Sequence, residues 1–319
     1  MLRSRWRSTA AASVASMGWL VGACWIVGMA LHDRTVVTQW LSWIPAPSVA
    51  VAMALCSLVV GALQGWKSVR AALFFATFAI AAAVWTVHTS LGLGTAPAGR
   101  DRSVRILQWN TDWPSGDDPL SATALAGHPA DIALISNHGE IMRAAEVARW
   151  APIGARAYLA GPFALVTAWP VLEARQVAAS GPFRQACCVA SFVVLPPGWD
   201  GRPLRIAMVD LPSRPMLPRR DVARVLREGC ERGGLGRMDL VAGDFNAIDG
   251  SVILRECFPG FRDALDDAGR GWLCTWPRTL PLWKIDHVLL GDGMRAVDGE
   301  VRDPGTSHHR MTIVDVEPR

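Results

Sequence analysis

Charge is what this 319-residue chain has least of, and the shortage lies at one end. Between Ser8 and Gly99 the only charged residues are Asp33, Arg34, Lys67 and Arg70; from Arg100 onward charges return at ordinary density. Such a gap excludes an ordinary water-soluble domain for the first third. Residues 100–319 remain, enough chain to bury a core of its own. Lysine is nearly absent: Lys67 and Lys284 are the only two, and arginine carries the rest of the positive charge. That bias reflects a GC-rich genome more readily than a phosphate-binding surface, and a net charge of +4 is too small to argue for nucleic acid by itself. The seven cysteines include no CxxC pair, so zinc-type spacing is absent. Cys24 and Cys56 fall in apolar stretches. Cys187, Cys188, Cys230, Cys257 and Cys274 leave one or two disulfides open should this part meet an oxidising compartment. There is no internal repeat and no low-complexity tract.

Three charge-free stretches fill the first third: Ser8 to Leu31, Thr35 to Trp66 and Ala71 to Gly99. A bilayer core takes about 20 apolar residues of helix, and the first and third stretches supply them directly. In the second, Pro45 and Pro47 predict a helix from about Ala46 to Leu63. The preceding Gln39-Trp40-Leu41-Ser42-Trp43 reads as an interfacial segment with tryptophans at headgroup depth. No small-x-small site follows Leu31, so the first stretch reads as a retained anchor rather than a cleaved signal. Arg3, Arg5 and Arg7, with Lys67 and Arg70, flank ends that share one side of the bilayer. The positive-inside rule puts these in the cytoplasm, as a multi-pass protein of a cell inner membrane, and three crossings put the C-terminal part outside, periplasmic or extracellular. Arg100, Arg102 and Arg105 weigh the other way. The domain plan is an anchor over 1–94, a linker over 95–103 containing Thr95-Ala96-Pro97-Ala98-Gly99, and a soluble domain over 104–319.

The soluble part reads as many short strands with few helices. Strands are predicted at Val104–Trp109, Asp131–Ser136, Ala164–Ala168, Val171–Val177, Cys187–Leu195, Leu204–Val209, Asp239–Ala242, Ile285–Leu290 and Met311–Val316. Helical spacing appears at Ile141–Trp150 and at Arg219–Arg232, where Val222, Val225 and Leu226 share a face. Two sheets inside with helices outside accommodate this order. Polar clusters punctuate the strand ends: Gly243-Asp244-Phe245-Asn246, Lys284-Ile285-Asp286-His287 and Ser307-His308-His309-Arg310. Each alone reads equally well as a polar turn. A carboxylate and an amide two residues apart at a strand end can, however, point the same way, one to take a proton from water and the other to donate to an anionic oxygen.

Taken in order, with Leu107-Gln108-Trp109-Asn110 ahead of them and Ile285-Asp286-His287-Val288-Leu289 in register, these clusters resemble the endonuclease/exonuclease/phosphatase superfamily. Thr275-Trp276-Pro277 matches a habit of its membrane-tethered members, and the resemblance runs from Val104 to Val316. It implies a four-layer α/β/β/α sandwich (an α+β, DNase I-like fold) preceded by three transmembrane helices. It also implies a metal-dependent hydrolase acting on a phosphodiester or phosphomonoester. In that pattern Asn110 helps hold metal or phosphate, and Asp244 orients or deprotonates the attacking water with Asn246 beside it. His309, positioned by Asp286, stabilises the phosphorane-like transition state, and a divalent cation, Mg2+ by the family's habit, polarises the phosphoryl oxygen.

Three departures stand beside these matches. The family's metal-binding glutamate falls at Asn137, an acidic residue of the SDH motif is replaced by His308, and a phosphate-contacting histidine is replaced by Asp210. Magnesium favours hard anionic ligands, so these changes leave three readings. In the first, the site takes a metal that accepts imidazole, Mn2+ or Zn2+, with Asp210 and Glu140 restoring charge around Asn137 and His308. In the second, the domain binds a ligand or partner without chemistry. In the third, Asp210, His308 and Glu140 are tolerated surface residues around a crippled enzyme. Asp210 and Trp276 are the candidates for touching substrate. His128 reads as a turn residue, and His138 as a ligand or an exposed loop histidine. Neither the substrate, nucleic acid included, nor any partner protein is legible.

Overall fold

The computed structural model describes residues 2–64, 69–94, 102–114, 118–142, 144–180 and 187–319. Lys67, Arg100 and the linker sequence 95–101 lie outside them. The chain forms two compact units, Met1–Ser90 with Pro215–Arg219, and Leu91–Arg214 with Arg220–Arg319.

The first unit carries three long helices, α1 (Leu2–Leu31), α3 (Ala46–Gln64) and α4 (Val69–Ser90), with the short α2 (Val36–Ser42) between the first two. Arg5–Leu31, Ala46–Gln64 and Val69–Ser90 are each long and apolar enough to cross a membrane. The segment predicted at the interface is α2, started by Thr35 and Thr38, whose hydroxyls and backbone amides bond reciprocally. Pro45 and Pro47 fall where proline costs a helix least, and α3 begins between them. Its Val49, Met53 and Val60 bury against Phe75, Ala79 and Ala82 of α4 and Trp25 of α1, while Leu20, Val51, Leu55, Leu58, Leu73 and Ile80 stay exposed. An outward surface of leucine, isoleucine and valine with no charge is what lipid-facing helices require.

The second unit holds two sheets. The first has eight strands in the order β1 (Leu91–Leu93), β11 (Gly269–Trp272), β13 (Met294–Arg302), β14 (Met311–Pro318), β2 (Val104–Asn110), β3 (Ile132–Ser136), β5 (Phe163–Thr167), β4 (Arg156–Ala160). The second has six: β10 (Arg262–Asp263), β12 (Asp286–Leu290), β9 (Leu240–Asp244), β8 (Leu204–Asp210), β7 (Cys187–Val194), β6 (Val171–Ser180). Every strand predicted from sequence is present within a residue or a few. β1, β4, β10, β11 and β13 were not predicted, and β1 begins at Leu91, inside the stretch assigned to the anchor by hydropathy.

Side-chain alternation sets the layers. Ile106, Ile132, Leu134, Ile206, Met208, Leu240, Ala242, Val288, Val314 and Val316 point between the sheets into one core. Leu107, Trp109, Ala133, Ile135 and Val166 point to the other face of the first sheet. There they meet Leu125 of α5 (Pro119–Ala126) and Val147 of α6 (Ala144–Trp150). Helix α6 is shorter than the predicted Ile141–Trp150; Ile141 and Met142 are buried in the turn before it. Helix α7 (Arg219–Arg232) buries Val222, Val225 and Leu226, the predicted face, and Gly229 lets it close on Ala178 of β6. Helix α8 (Val252–Cys257) is tied to α7 where the Cys257 thiol donates to the Ala223 carbonyl at 3.5 Å. Each fully buried aliphatic side chain contributes about 1.5–3 kcal/mol, so the doubly covered sheets hold the edge that follows. Among the described residues no two cysteines are joined in a disulfide.

Candidate active site

The inward rows of both sheets change character at the same end. Ile106 is followed by Gln108 and Asn110 on β2, Met208 by Asp210 on β8, and Ala242 by Asp244 on β9. On the antiparallel β12, Val288 is preceded by Asp286. Register then aligns the acids: Asp244 is the partner of Asp210 on one side and of Asp286 on the other. Three carboxylates thus form one row across β8, β9 and β12. Asp244 and Asp286 are buried, and Asn110, buried as well, comes from the facing sheet. The row depends on Gly243, whose φ is +143°. A Cβ there would lie 1.9 Å from the Val209 carbonyl oxygen of β8, so only glycine lets the two strands carry Asp210 and Asp244 side by side.

A string of hydrogen bonds joins the sheets. The Asn110 amide donates to Asp244 Oδ2 at 2.9 Å, and Asp244 Oδ1 accepts from the Asn246 backbone at 2.9 Å. Asn246 donates through its own amide to the Leu211 carbonyl at 2.8 Å. His309 shares a proton with Asp286 across 2.9 Å between Nδ1 and Oδ2, and its Nε2 faces Asp244 Oδ2 at 3.7 Å. The loop before it is pinned: Ser307 Oγ donates to the Asn110 carbonyl at 2.7 Å and accepts the His309 amide at 3.1 Å. Thr275 Oγ1 accepts the backbone amides of Ile285 and Asp286, both at 3.2 Å, fixing the entry to β12. Asp112, Asn137, Asn246 and Ser307 all hold positive φ. Left-handed backbone at residues other than glycine is costly and collects where a site needs it.

The electrostatics follow from packing like charges in a dry place. Asp244 is pushed up to about 6, first by burial and then by Asp286, against the pull of His309 and two hydrogen bonds. Asp210 is pushed up to about 7 by burial and by Asp244, with an Asn137 hydrogen bond and the His309 charge opposing. His309 is raised to about 10: burial disfavours its charge, and Asp286 and Asp244 overcome that. At neutral pH the pocket therefore holds a protonated imidazole between two carboxylates, and its negative charge is in excess.

Of the other predicted residues, Asn137 is at the site, buried, with its amide nitrogen 3.2 Å from Asn110 Oδ1. Glu140 is on an exposed turn outside the buried cluster. The His308 side chain is 79% exposed and pairs with Asp112 at the rim. Trp276 is half-buried against Trp283, ring centroids 5.3 Å apart, on the hairpin that Arg278 ties to the His308 carbonyl at 2.8 Å. His128 closes α5, its Nδ1 2.8 Å from the Ala124 carbonyl, and His138 Nδ1 lies 2.8 Å from the Gly139 carbonyl. Asp112 is not legible in the sequence, because an acid two residues past a strand carries no signal of its own.

Behind Asp286 lies a second cluster. Lys284 Nζ sits among Asp249 at 3.2 Å, Asp263 at 3.4 Å and Asp266, and His287 bridges Asp263 Oδ2 at 2.7 Å and the Ala247 carbonyl at 2.9 Å. Asp249, Asp263 and His287 come close enough together to hold a metal ion, but the ammonium of Lys284 already fills that role. This cluster is structural. Its one legible signal is Lys284 itself, one of only two lysines in an arginine-rich chain: three converging carboxylates suit a compact ammonium better than a planar guanidinium. A cavity of about 280 Å³, lined by Leu226, Cys230, Met238, Cys257 and Phe258 among others, opens at the opposite end of the second sheet. None of the site residues borders it.

The donor set fits a hard divalent cation. Asp244, Asp286 and His309 bring possible ligand atoms within 4.8 Å of one another; because the two acids hold His309 protonated, the donors left for a cation are the carboxylate and amide oxygens around it. Asn137 Oδ1 and Asp286 Oδ1 are buried with no hydrogen-bond partner among the described residues. Buried polar atoms are normally paired, so these two point to a missing ion or water.

Two mixed sheets packed face to face, helices outside and an acid–imidazole string at one edge define the DNase I-like class of folds. The sequence profile of the endonuclease/exonuclease/phosphatase family matches residues 100–309, and the chain belongs to that family. Solved structures share the architecture. A mannosyl-6-phosphatase of Bacteroides thetaiotaomicron aligns at 13% identity over 67% of this chain and 99% of its own, TM-score 0.56. The human Nocturnin catalytic domain with bound sulfate aligns at 14% over 69% and 95%, TM-score 0.51. An endonuclease/exonuclease/phosphatase from Bacteroides vulgatus aligns at 17% over 68% and 99%, TM-score 0.51. At these identities the likeness shows the fold alone. No curated protein matches the chain. The family consists of phosphoester hydrolases that generally depend on a divalent metal ion.

Proposed function

We propose that the chain is a membrane-anchored, divalent-metal-dependent hydrolase of phosphodiesters or phosphomonoesters whose folded domain works outside the cytoplasm. The observation that carries this reading is the buried string Asn110–Asp244–His309–Asp286. Asp244 is the base: held by Asn110 and the Asn246 amide, it orients a water and takes its proton as the water oxygen bonds to phosphorus. His309, kept protonated by Asp286, stabilises the charge on the phosphoryl oxygens as the water oxygen bonds to phosphorus, and the ester oxygen released as its bond to phosphorus breaks takes a proton from solvent. Asn110 and Asn137 belong to the metal side of the pocket, and Trp276 to its wall. The cation, Mg2+ or Mn2+ by its oxygen donors, supplies Lewis-acid polarisation of the phosphoryl group.

The test is turnover of bis(p-nitrophenyl) phosphate and p-nitrophenyl phosphate by the full chain in detergent with Mg2+, Mn2+ or Zn2+. Hydrolysis lost by roughly 10²–10⁴-fold in both Asp244→Asn and His309→Ala is the expected result. No turnover with any metal, or turnover indifferent to both substitutions, overturns it. One observation favours a second reading, a domain that binds a phosphorylated ligand without chemistry: neither the exposed Glu140 nor the exposed His308 replaces the acids missing from the pocket. Stoichiometric binding of inorganic phosphate with no hydrolysis distinguishes it.

A further inference from the structure

The carboxylate row has an imbalance along its length. His309 lies against Asp286 and Asp244, so that end of the row has its cation. Asp210, at the other end, faces Asn137, a neutral amide. Like charges directly opposite on neighbouring strands are destabilising, yet β8 and β9 align half-buried Asp210 with buried Asp244 and use a glycine of forbidding geometry to do so. Across the gap the Asn137 amide touches Asn110 and leaves Oδ1 buried with no partner among the described residues. A place bounded by two carboxylates from one sheet and an orphan amide oxygen from the other has the charge and the hard oxygens of a cation site.

We propose that Asp210 is a metal ligand, and that the cation sits between Asp210 and Asp244 of the second sheet and Asn137 of the first. The acid absent at position 137 is thereby restored from the opposite sheet, rather than by Glu140 or His308, which stand exposed at the rim. This inference rests on reading the pocket as metal-dependent. It assigns to Asp210 a role different from that of the phosphate-contacting histidine whose place it takes.

The experiment uses the full chain in detergent, stripped with EDTA and titrated with Mn2+ by electron paramagnetic resonance, which counts bound ion without reference to activity. One bound Mn2+ is expected. Asp210→Asn weakens it by roughly tenfold or more, while Glu140→Gln and His308→Ala stay within about twofold. Thermal melting adds a second readout. In EDTA at mildly alkaline pH, Asp210→Asn melts about 2–4 °C higher because a buried repulsion is gone, and it loses the metal-induced rise of the parent. Should that variant not fold, Asn137→Asp serves instead: it tightens Mn2+ about tenfold if the cation lies in this gap, and unchanged affinity contradicts the assignment. Wild-type protein that binds no Mn2+, or an Asp210→Asn variant that binds as the parent does, overturns it. Asp210-dependent Mn2+ binding with no phosphoester turnover keeps this ligand and removes the hydrolase reading. Hydrolysis by protein shown to hold no metal does the reverse.

Discussion

At the scale of single residues, the pocket is a contest between burial, which opposes every charge, and charges that hold one another in place. Activity by the route above needs Asp244 unprotonated and His309 protonated. Without metal, the acid limb belongs to the Asp210–Asp244 pair, at about 6 to about 7, and the alkaline limb to His309, at about 10. The kcat/KM profile is therefore expected to rise through the first range, plateau and fall toward the second, with bound metal moving the acid limb down. Asp286→Asn removes the charge that raises His309 most and should draw the alkaline limb to lower pH. A limb that stays put separates His309 from the chemistry. The same shifts bear on stability in one direction: both values are raised, so both contributions fall as pH rises, over different ranges. The raised imidazole contributes stability that is complete below its unfolded value near 6.5 and is lost as pH climbs through about 10. The raised Asp244 binds its proton more tightly folded than unfolded, so its contribution falls as pH rises from about 4 through about 6. Lys284 offers a test free of catalysis. Lys284→Met strands the buried Asp263 carboxylate and should cost about 3–5 kcal/mol, while Lys284→Arg, overfilling the same space, should cost about 1–3 kcal/mol. Urea midpoints of the full chain in detergent measure both, and equal, negligible losses would refute the structural role given to this cluster.

At the scale of elements, what sequence disclosed and what it hid divide by where each strand's stability comes from. Strands with a hydrophobic row toward the core, such as Val104–Asn110 and Leu204–Asp210, announce themselves by alternation. Helix α7 does so by the face of Val222, Val225 and Leu226. The hidden strands stand on other supports. Strand β13 reads Met-Arg-Ala-Val-Asp-Gly-Glu-Val-Arg with a bulge between Ala296 and Asp298, and is fastened to β11 by the two-pronged pair of Arg270 with Asp298 at 2.6 and 2.8 Å. Strand β10 is two residues long, and its Asp263 starts the following helix α9 (Ala264–Ala268) by accepting the Leu265 amide. Such segments exist because partners far along the chain hold them, which no local window records. The site was partly legible for the same reason. Asp244, Asn246, Asp286 and His309 sit at strand ends in recognisable order, whereas the alignment of Asp210 with Asp244 is a fact of register alone. Gly243→Ala tests that alignment. Its Cβ cannot be accommodated against Val209 without parting β8 from β9, and a loss of about 3 kcal/mol or more is expected. Hydrogen exchange locates the damage. Protection lost on β8 and β9 supports the account; a variant as stable as the parent contradicts it.

At the scale of the whole molecule, the question is which side of a bilayer receives the acid–imidazole edge. Length and hydropathy make each of three helices able to cross, and an odd number of crossings places the two termini on opposite sides. The choice of side rests on basic residues near the ends. Arg3, Arg5 and Arg7 lie in the first two turns of the first long helix, Lys67 comes just before the third in sequence and Arg70 is in its first turn, whereas the connection after the first carries Arg34 balanced by Asp33. Positive charge is retained on the cytoplasmic side at short loops, which predicts the N-terminus inside and the folded domain outside. The cluster Arg100, Arg102 and Arg105 pulls against this, though Arg105 is engaged by Asp315 in a two-pronged pair at 2.8 and 3.0 Å and so acts partly as a structural group rather than a free topological signal. Alkaline phosphatase fused after Arg319 is then expected to be active, and the same enzyme fused between the second and third helices inactive. Green fluorescent protein at the two positions should give the complementary pattern. Fluorescence at the C-terminal fusion with an inactive phosphatase there would place the domain in the cytoplasm, returning intracellular phosphoesters, nucleic acid included, to the field of substrates that an outside location removes.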